Sequence, residues 1–404
     1  MCIRDRHQTP QRQDGSRHHH EDPQDDLHRG RCAVMKIAVI TAATNPIPRF
    51  RIDMIDEFVR RGCEVVVFGD EPAEKWEGYF AEHVTSYRQY SVSRNGLNPM
   101  SDIATLKELE YLLLEARPDK VFTYQAKPNI YGVIAAHRAR IKGVFVMMGG
   151  LGSVFHADDS KSKIVRRIVA AEYKHALSYA DKVFFQNAED VGLFDRLGLV
   201  DRAKVVMVRG SGVNIDHFAQ KPLPDKPSFL FVGRLVKGKG IREYLEAARI
   251  VKQSHPEASF AVVGPFDTNP TSMTPEELQA YVDDGTVVFH GEQEDVRPFL
   301  EACSVLVLPS YYGEGTPKSA LEAMATGRPL IVADAVGCRE VVRKGENGIL
   351  VSPKSATALV EAMVHFIEHP QMVFKMGLAS RGLAEERFDV WKVNGVIATT
   401  MGIM

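Results

Sequence analysis

The sequence predicts an α/β protein made of two doubly wound domains that face each other across a cleft. Three observations support this prediction. Apolar segments alternate with helical periodicity from Met35 onward, a proline-rich segment interrupts the alternation, and the alternation then resumes. Apolar strands separated by helices are typical of parallel sheets covered on both faces. We therefore expect ligands to bind in the cleft, at the carboxyl ends of the strands.

The first 34 residues differ from the rest of the chain. They are rich in Gln, Asp, His and Arg and lack apolar periodicity, whereas Met35–Val39 resembles a natural protein start. We interpret residues 1–34 as a disordered or non-native tail. A metal site at His18, His19 and His20 is an alternative, but nothing around these residues is expected to fold.

The first domain is predicted to span residues 35–219. Its strands are short apolar runs at 36–41, 63–68, 120–123, 144–148, 183–186 and 205–208. Helical periodicity fills most of the intervals, and an amphipathic helix is expected at 53–61.

A linker is predicted at residues 220–228, because Gln220–Pro227 contains three prolines in eight residues. Such a segment cannot continue a helix or form a central strand. The second domain, residues 229–385, has predicted strands at 229–232, 259–263, 286–289, 305–308, 330–332 and 349–351. Its predicted helices are 241–252, 317–326 and 356–368. Residues 386–404 are expected to form a helix that packs back on the first domain.

Composition limits the class of protein. The formal net charge of -2 over 404 residues argues against a general nucleic-acid binder. No apolar run approaches the ~18–20 residues that a membrane span needs. The five cysteines form no CxxC pair, which fits a reducing cytoplasm best.

A glycine-rich segment, Gly233–Gly240, follows the first strand of the second domain. It nearly matches a P-loop, but Gly240 replaces the Ser or Thr that would hold Mg²⁺, which argues against a nucleotide triphosphatase. Arg234 and Lys239 suit a diphosphate without a metal. The alternative is two solvated surface cations; the position at the end of a parallel strand favours binding.

The segment Glu314–Glu322 follows a buried strand and opens a helix. A helix N-terminus flanked by two carboxylates suits a phosphate-bearing sugar. The two acids could instead be the pair of a glycoside hydrolase. However, eight helical residues would separate them by ~12 Å along the axis, whereas hydrolase carboxyls lie roughly 5–9.5 Å apart. A solvated helix carboxylate remains the simpler interpretation of Glu322 alone.

Several motifs together resemble the retaining GT-B glycosyltransferases of family four. The broader set is Gly233-Arg-Leu with Lys239-Gly, Glu314-x7-Glu322, Gly327-Arg-Pro329, Gly337-Cys-Arg-Glu340 and Asn347-Gly348. A narrower set resembles the bacterial branch that extends polyprenyl-diphosphate-linked sugars, which includes bacillosamine N-acetylgalactosaminyltransferases. It comprises Ser310–Ser319, Gln125–Gly132, Gly149–Phe155, Phe185-Gln-Asn187 and Gly210–Asn214. The resemblance covers the chain from about Met35 and implies two Rossmann-like domains.

The resemblance implies a role for each matching residue. Arg234 and Lys239 would bind the donor diphosphate and stabilise the leaving nucleotide, and Glu314 would approach the transferred sugar. Glu322 would hydrogen-bond the ribose. The remaining donor-binding positions are Gly233, Thr316, Lys318, Ser319 and Ala320, of which the last four contribute backbone amides. No metal is required, and the co-substrate is a UDP-sugar.

The first domain is expected to hold the acceptor. The candidate residues are Lys127, Asn129, Gly149, Gly150 and Gly152. The segment that follows carries Lys161, Lys163, Arg166, Arg167 and Lys174, interleaved with Ile164, Val165 and Ile168. This segment is either an ordinary charged helix face or a patch that docks on an anionic membrane.

Two departures from the family pattern stand out. Gly313 occupies a position that is basic in many relatives, so a sugar or phosphate contact is in doubt. Many relatives also have a catalytic histidine in the first domain; His156 is the nearest candidate, and a surface histidine is the simpler interpretation.

The expected activity is transfer of a hexose or N-acetylhexosamine from a UDP-sugar to a polyprenyl-diphosphate-linked sugar, at the inner face of the plasma membrane, in surface polysaccharide or glycan assembly. The alternatives are a UDP-sugar epimerase of the same fold and a non-catalytic sugar-nucleotide-binding protein.

Overall fold

Two parallel β-sheets form the framework of the protein. The computed structural model describes residues 34–93, 98–151, 155, 160–267, 271–311 and 313–404, the side chains of 160–162 excepted. Residues Met35–Met404 form one structural unit. The two parallel sheets with helices between their strands confirm the predicted α/β class.

The first sheet has the strand order β3-β2-β1-β4-β5-β6-β7 in the described part of the chain. The strands are β1 Lys36–Thr41, β2 Glu64–Gly69, β3 Thr85–Gln89, β4 Lys120–Tyr124, β5 Gly143–Met147, β6 Lys182–Phe185 and β7 Val205–Met207. The helices are α1 Ile47–Phe50, α2 Ile52–Arg60, α3 Ala73–Glu82, α4 Pro99–Ala116, α5 Val133–Arg138, α6 Ser160–Ser178 and α7 Ala188–Arg196. A π-helical turn, Pro128–Gly132, precedes α5.

The second sheet has the strand order β10-β9-β8-β11-β12-β13. Its strands are β8 Ser228–Val232, β9 Ser259–Val263, β10 Val288–Phe289, β11 Val305–Leu308, β12 Leu330–Ala333 and β13 Gly348–Val351. Its helices are α8 Ile241–Ser254, α9 Pro275–Asp283, α10 Arg297–Ala302, α11 Lys318–Ala325, α12 Ala356–Glu368 and α13 Pro370–Leu383. The chain then returns to the first domain through a π-helical turn, Ala384–Phe388, and continues as α14 Val390–Thr400.

The central strands are apolar because helices cover both faces of each sheet. Every residue of β8 and β11 is buried, and both strands belong to one hydrophobic core with α8, α11 and α12. Burial on both faces removes the need for alternation, so such strands are continuous apolar runs.

The linker is fixed to the second domain by one buried arginine. The guanidinium of Arg328 donates hydrogen bonds to the carbonyl oxygens of Lys221 and Pro222 in the linker, each at 2.8 Å. It also donates to Leu300 and Glu301 in α10. The linker therefore has a defined path, and β8 begins at Ser228, the last residue of the predicted linker.

Helix α14 completes the core of the first domain. Val393, Ile397 and Met401 are buried in one cluster with Ile37 of β1 and Phe122 of β4. The first domain is therefore built from two separated parts of the chain.

Candidate active site

The neighbouring strands β8 and β11 bring the two predicted catalytic loops together. They pair in parallel, with Phe229 opposite Val305, so the segments that follow them leave the same edge of the sheet. The Lys239 ammonium forms an ion pair with the Glu314 carboxylate, and each side chain is 15% exposed. Ser310 Oγ donates to the same Glu314 oxygen at 2.8 Å. The Gly-rich loop and the Glu314 loop therefore form one site.

Arg234 lies at this site with a carboxylate partner of its own. Its Nη1 is 2.6 Å from an Asp267 carboxylate oxygen, and its side chain is 43% exposed. Burial raises the pKa of Glu314, but the charge and hydrogen bond of Lys239 oppose this. Together with Ser310 and the Arg234 charge, they hold the pKa of Glu314 below its ordinary value. Glu314 is therefore a carboxylate held between cations.

Helix α11 presents part of the predicted set of backbone donors. Lys318 and Ser319 occupy its first two positions, where N–H groups have no intrahelical acceptor. The other two predicted amides are engaged: Thr316 N–H donates to Gln186 Oε1 at 2.9 Å, and Ala320 N–H donates to the Pro317 carbonyl at 3.1 Å. Within the described part of the chain, no acceptor is recorded for the amides of Lys318 and Ser319, so these two can bind a ligand.

Glu322 does not present an open ribose subsite. It is 0% exposed, and Arg49 of the first domain donates to both of its carboxylate oxygens. A ribose hydroxyl could reach this carboxylate only by displacing or sharing Arg49, so the ribose contact stays a prediction. In the structure, Glu322 links the two domains.

The Lys318 side chain also contacts the first domain. Its Nζ donates to the Gly212 carbonyl at 2.8 Å. Burial lowers the pKa of Lys318, and the charges of Arg49 and Arg51 act in the same direction, while Glu322 and Asp53 oppose it. Five charged groups therefore lie close together where the domains meet.

The predicted acceptor glycines have different surroundings from those expected. A Cβ on Gly150 would lie 2.2 Å from the Gly313 carbonyl oxygen and 2.7 Å from Gly315 N. The close approach at Gly150 is thus to the protein's own Glu314 loop. Gly149 has open space around it, and Gly152 lies outside the described residues.

Two other predicted acceptor residues have partners within the first domain, and their acceptor roles stay predictions. Lys127 forms an ion pair with Asp102, and both side chains are largely buried. Asn129 is 1% exposed; its Oδ1 accepts from Thr123 Oγ1 at 2.8 Å and its Nδ2 donates to the Met147 carbonyl at 2.9 Å. Because its side chain is buried and bonded on both sides, Asn129 serves the interior of the first domain.

Two glycines have conformational reasons for being glycine. Gly240 has φ of 76°, and a Cβ there would lie 2.4 Å from the Pro309 carbonyl oxygen. A P-loop Ser or Thr does not fit this position. Gly313, where many relatives have a basic residue, has φ of 80°, so a side chain at this position would be strained. A Cβ on Gly233, by contrast, would have no neighbour closer than 3.7 Å, and the donor role of this glycine stays a prediction.

The first domain contributes polar residues to the Glu314 loop that received no role from the sequence. Gln186 is buried and accepts from Thr316, and Asn187 Nδ2 donates to the Glu314 carbonyl at 3.4 Å. Asn187 is itself held by Asp190 at 2.9 Å, and burial raises the pKa of Asp190 to about 7. Both belong to the Phe185-Gln-Asn187 motif of the resemblance, and their position directly after the apolar run of β6 is the signal that could have given them a role.

Other expectations concern the surface. His156 lies outside the described residues. On α6, Lys163, Arg167 and Lys174 are exposed, as are Ile164 and Ile168, while Arg166 donates to the Phe155 carbonyl at 2.9 Å. Among the described helices, none has the length and apolar character that crossing a bilayer requires.

Two family models match separate parts of the chain. One, described as "Glycosyl transferase 4-like domain", matches residues 52–210, and the other, described as "Glycosyl transferases group 1", matches residues 226–369. The first therefore covers most of the first domain and the second most of the second domain.

Individual proteins are similar over most of the chain. An N,N'-diacetylbacillosaminyl-diphospho-undecaprenol alpha-1,3-N-acetylgalactosaminyltransferase from Campylobacter jejuni is 28% identical over 352 residues, 84% of this chain and 91% of the relative. A UDP-Gal:alpha-D-GlcNAc-diphosphoundecaprenol alpha-1,3-galactosyltransferase from Escherichia coli is 27% identical, with 71% and 76% covered.

A solved structure has the same fold. Anabaena HepE, solved in complex with UDP, superposes with a TM-score of 0.72 at 18% identity, over 92% of this chain and 100% of that one. With a family model over each of its two domains, the chain belongs to the group 1, family-four glycosyltransferases, and its two facing sheets form the GT-B fold.

Proposed function

We propose that the protein is a retaining glycosyltransferase that moves a hexose or N-acetylhexosamine from a UDP-sugar to a polyprenyl-diphosphate-linked sugar. The observation that carries this proposal is the Lys239–Glu314 pair beside Arg234, at the carboxyl ends of β8 and β11. The two relatives named above act, by their names, on undecaprenyl-diphosphate-linked sugars. Both names support a lipid-linked acceptor, and the second also supports a UDP-sugar donor.

The donor diphosphate is proposed to replace carboxylates as the partner of the two cations. In the structure, Lys239 is paired with Glu314 and Arg234 with Asp267. The negative charge of a diphosphate can bind both cations. The N–H groups of Lys318 and Ser319, at the positive end of the α11 dipole, add to this attraction. Glu314, released from Lys239, then meets the transferred sugar. We propose that no metal is needed, because these groups supply the positive charge.

The chemical step is proposed to occur on one face of the donor sugar. The bond from the anomeric carbon to the phosphate oxygen breaks, and the acceptor oxygen bonds to that carbon on the same face. The departing phosphate oxygen takes the acceptor proton. Arg234 and Lys239 stabilise the charge that develops on this oxygen, which is the kind of fixed electrostatics that lowers such a barrier most.

The lipid acceptor is proposed to be reached at the cytoplasmic face of the membrane. Helix α6 exposes Ile164 and Ile168 beside Lys163 and Arg167. Each basic residue near an anionic surface contributes ~1 kcal/mol. Co-sedimentation with anionic vesicles should fall sharply in Lys163→Glu/Arg167→Glu and in 1 M salt, where the Debye length is about 3 Å. Unchanged sedimentation in both would contradict electrostatic docking.

The activity is tested by UDP release from a panel of UDP-sugars with a lipid-linked acceptor. Transfer with acceptor-dependent UDP release supports the proposal. Isomerised donor without UDP would indicate an epimerase, and donor binding alone would indicate a binding protein. Arg234→Ala and Lys239→Ala should abolish transfer with the fold intact, whereas Arg202→Ala, on an exposed ion pair of the first domain, is the matched control. Near-normal transfer by both site variants would overturn the assignment of the diphosphate site.

A further inference from the structure

Two buried arginines differ in how their guanidinium groups are satisfied. Arg328 is 0% exposed and donates to four carbonyl oxygens. Arg51 is 5% exposed, yet its Nε is buried with no hydrogen-bond partner among the described residues. Since an unsatisfied buried donor is costly, and more so when charged, Arg51 carries a stability cost.

Arg51 lies at the centre of the carboxyl edge of the first sheet. It joins α1 to α2 just after β1, and its guanidinium stacks 5.1 Å from the centroid of the Tyr124 ring at the end of β4. β1 and β4 are neighbours, with Thr41 opposite Tyr124. From this pair the strand order continues outward in opposite directions, through β2 on one side and β5 on the other. Doubly wound sheets bind ligands at such a point.

Arg51 lies close to the second domain, because Arg49, two residues earlier, donates to Glu322. Its charge, like that of Arg49, acts on the pKa of Lys318, the first residue of α11. Tyr124 beside it is also buried. An unsatisfied cationic donor of the first domain is thus placed near the helix whose N-terminus faces the proposed diphosphate.

The charged groups around Arg51 are engaged with partners of their own. Arg49, Arg51 and Lys318 provide three cations, and the carboxylates that act on Lys318 are Glu322 and Asp53. Arg49 takes both oxygens of Glu322, and Asp53 accepts from Asn214 at 3.0 Å. Burial lowers the pKa of the Arg51 guanidinium, which remains a cation at neutral pH. Asp70, whose charge acts on Tyr124, accepts from Thr44 N–H at 2.8 Å and from Thr44 Oγ1 at 3.0 Å. None of these carboxylates is recorded in an ion pair with Arg51 among the described residues.

We propose that Arg51 binds a phosphate group of a diphosphate ligand from the first-domain side of the cleft, so that the ligand is held from both domains. A guanidinium can donate two parallel hydrogen bonds to phosphate, and the Tyr124 hydroxyl can add a third. This inference rests on the proposed function, which supplies two diphosphates: that of the UDP-sugar and that of the lipid acceptor.

The test compares thermal unfolding of Arg51→Met, Arg51→Lys and wild type, alone and with UDP, uridine or geranylgeranyl diphosphate in detergent. Without ligand, Arg51→Met should have a Tm equal to or above that of wild type, because methionine keeps the contact with Tyr124 and removes the unpaired charge. Arg328→Met is the contrasting control and should have a clearly lower Tm, because four carbonyl oxygens lose their donor.

With ligand, the Arg51→Met dissociation constant for the diphosphate should rise roughly 10- to 150-fold, the loss expected for hydrogen bonds to a charged group. Uridine binding should be unchanged. Loss confined to UDP assigns Arg51 to the donor, and loss confined to the prenyl diphosphate assigns it to the acceptor. A lowered Tm without ligand, or unchanged affinity for both diphosphates, would overturn the inference. If wild type binds neither diphosphate, the proposed function itself fails.

Discussion

Replacing Gln186 by leucine tests whether the first domain positions the Glu314 loop. Gln186 Oε1 accepts the Thr316 N–H at 2.9 Å, two residues after Glu314. Both residues are buried, so leucine leaves a buried N–H without its acceptor. This loss costs about 1–3 kcal/mol. If the loop must keep this geometry in the transition state, kcat/KM should fall about 5- to 150-fold.

A second substitution in the loop reports on the same contact. A Cβ on Gly315 would lie 2.2 Å from Gln186 Oε1, and Gly150 N would be 3.1 Å away. Gly315→Ala should therefore impair the enzyme strongly in the wild-type background and less when Gln186 is replaced by alanine. A double-mutant cycle measures this coupling, since residues in contact give non-additive effects.

Steady-state transfer assays on these variants distinguish positioning from general instability. The fall should be in kcat more than in KM for the donor, because Gln186 does not touch the proposed diphosphate groups. Gln279→Leu, at an exposed site of the second domain, is the control. Wild-type kcat/KM in Gln186→Leu, or strictly additive effects in the cycle, would refute the positioning role.

Three further predictions concern single residues. Gly240→Ser, which completes the P-loop pattern, should destabilise the protein by about 1–2 kcal/mol or more because of its left-handed backbone and the Pro309 carbonyl; an unchanged Tm would contradict this. The pKa of Asp190 is raised to about 7, so the folded protein retains a proton that the unfolded chain releases, and stability falls as pH rises from about 4 to that value. The free energy of unfolding of Asp190→Asn, relative to that of wild type, should therefore be up to about 4 kcal/mol higher at pH 8 than at pH 4. Urea unfolding at both pH values measures this difference. An equal difference between the two proteins at both pH values would refute the prediction. Arg49→Met should lower the free energy of unfolding, measured in urea, by about 3 kcal/mol, because the buried carboxylate of Glu322 loses its partner. Arg49→Lys should restore part of that stability. An unchanged free energy of unfolding in Arg49→Met would show that the pair is not stabilising.

The strands that could be predicted are those whose apolar character is continuous. Strand β3, Thr85–Gln89, is missing from the sequence prediction because only alternate residues are strongly buried and its sequence is mostly polar. The strand predicted at 286–289 is shorter in the structure. Thr286 N–H donates to the Asp284 side chain and Val287 N–H to the Tyr281 carbonyl at the end of α9, so pairing begins at Val288.

The site could be predicted where its residues are contiguous in sequence, as in the loops after β8 and β11. Partnerships between distant residues could not. Arg49 and Glu322 are 273 residues apart, and nothing in either segment indicates that they pair. Likewise, nothing in the sequence indicates that Lys127, at a strand end, pairs with Asp102 on α4. Sequence identifies charged groups, whereas the fold decides which of them partner one another.

The packing of α14 on the first domain has a consequence for synthesis of the chain. Val393, Ile397 and Met401 belong to the same core as β1 and β4, but they follow the whole second domain in sequence. On the ribosome, the first sheet therefore emerges with part of its apolar face uncovered, and that face stays open until residues beyond 390 have been translated. The second sheet carries its own core in one continuous segment, so it can finish folding first. We expect translation arrested before residue 390 to leave the first domain protease-sensitive beside a resistant second domain.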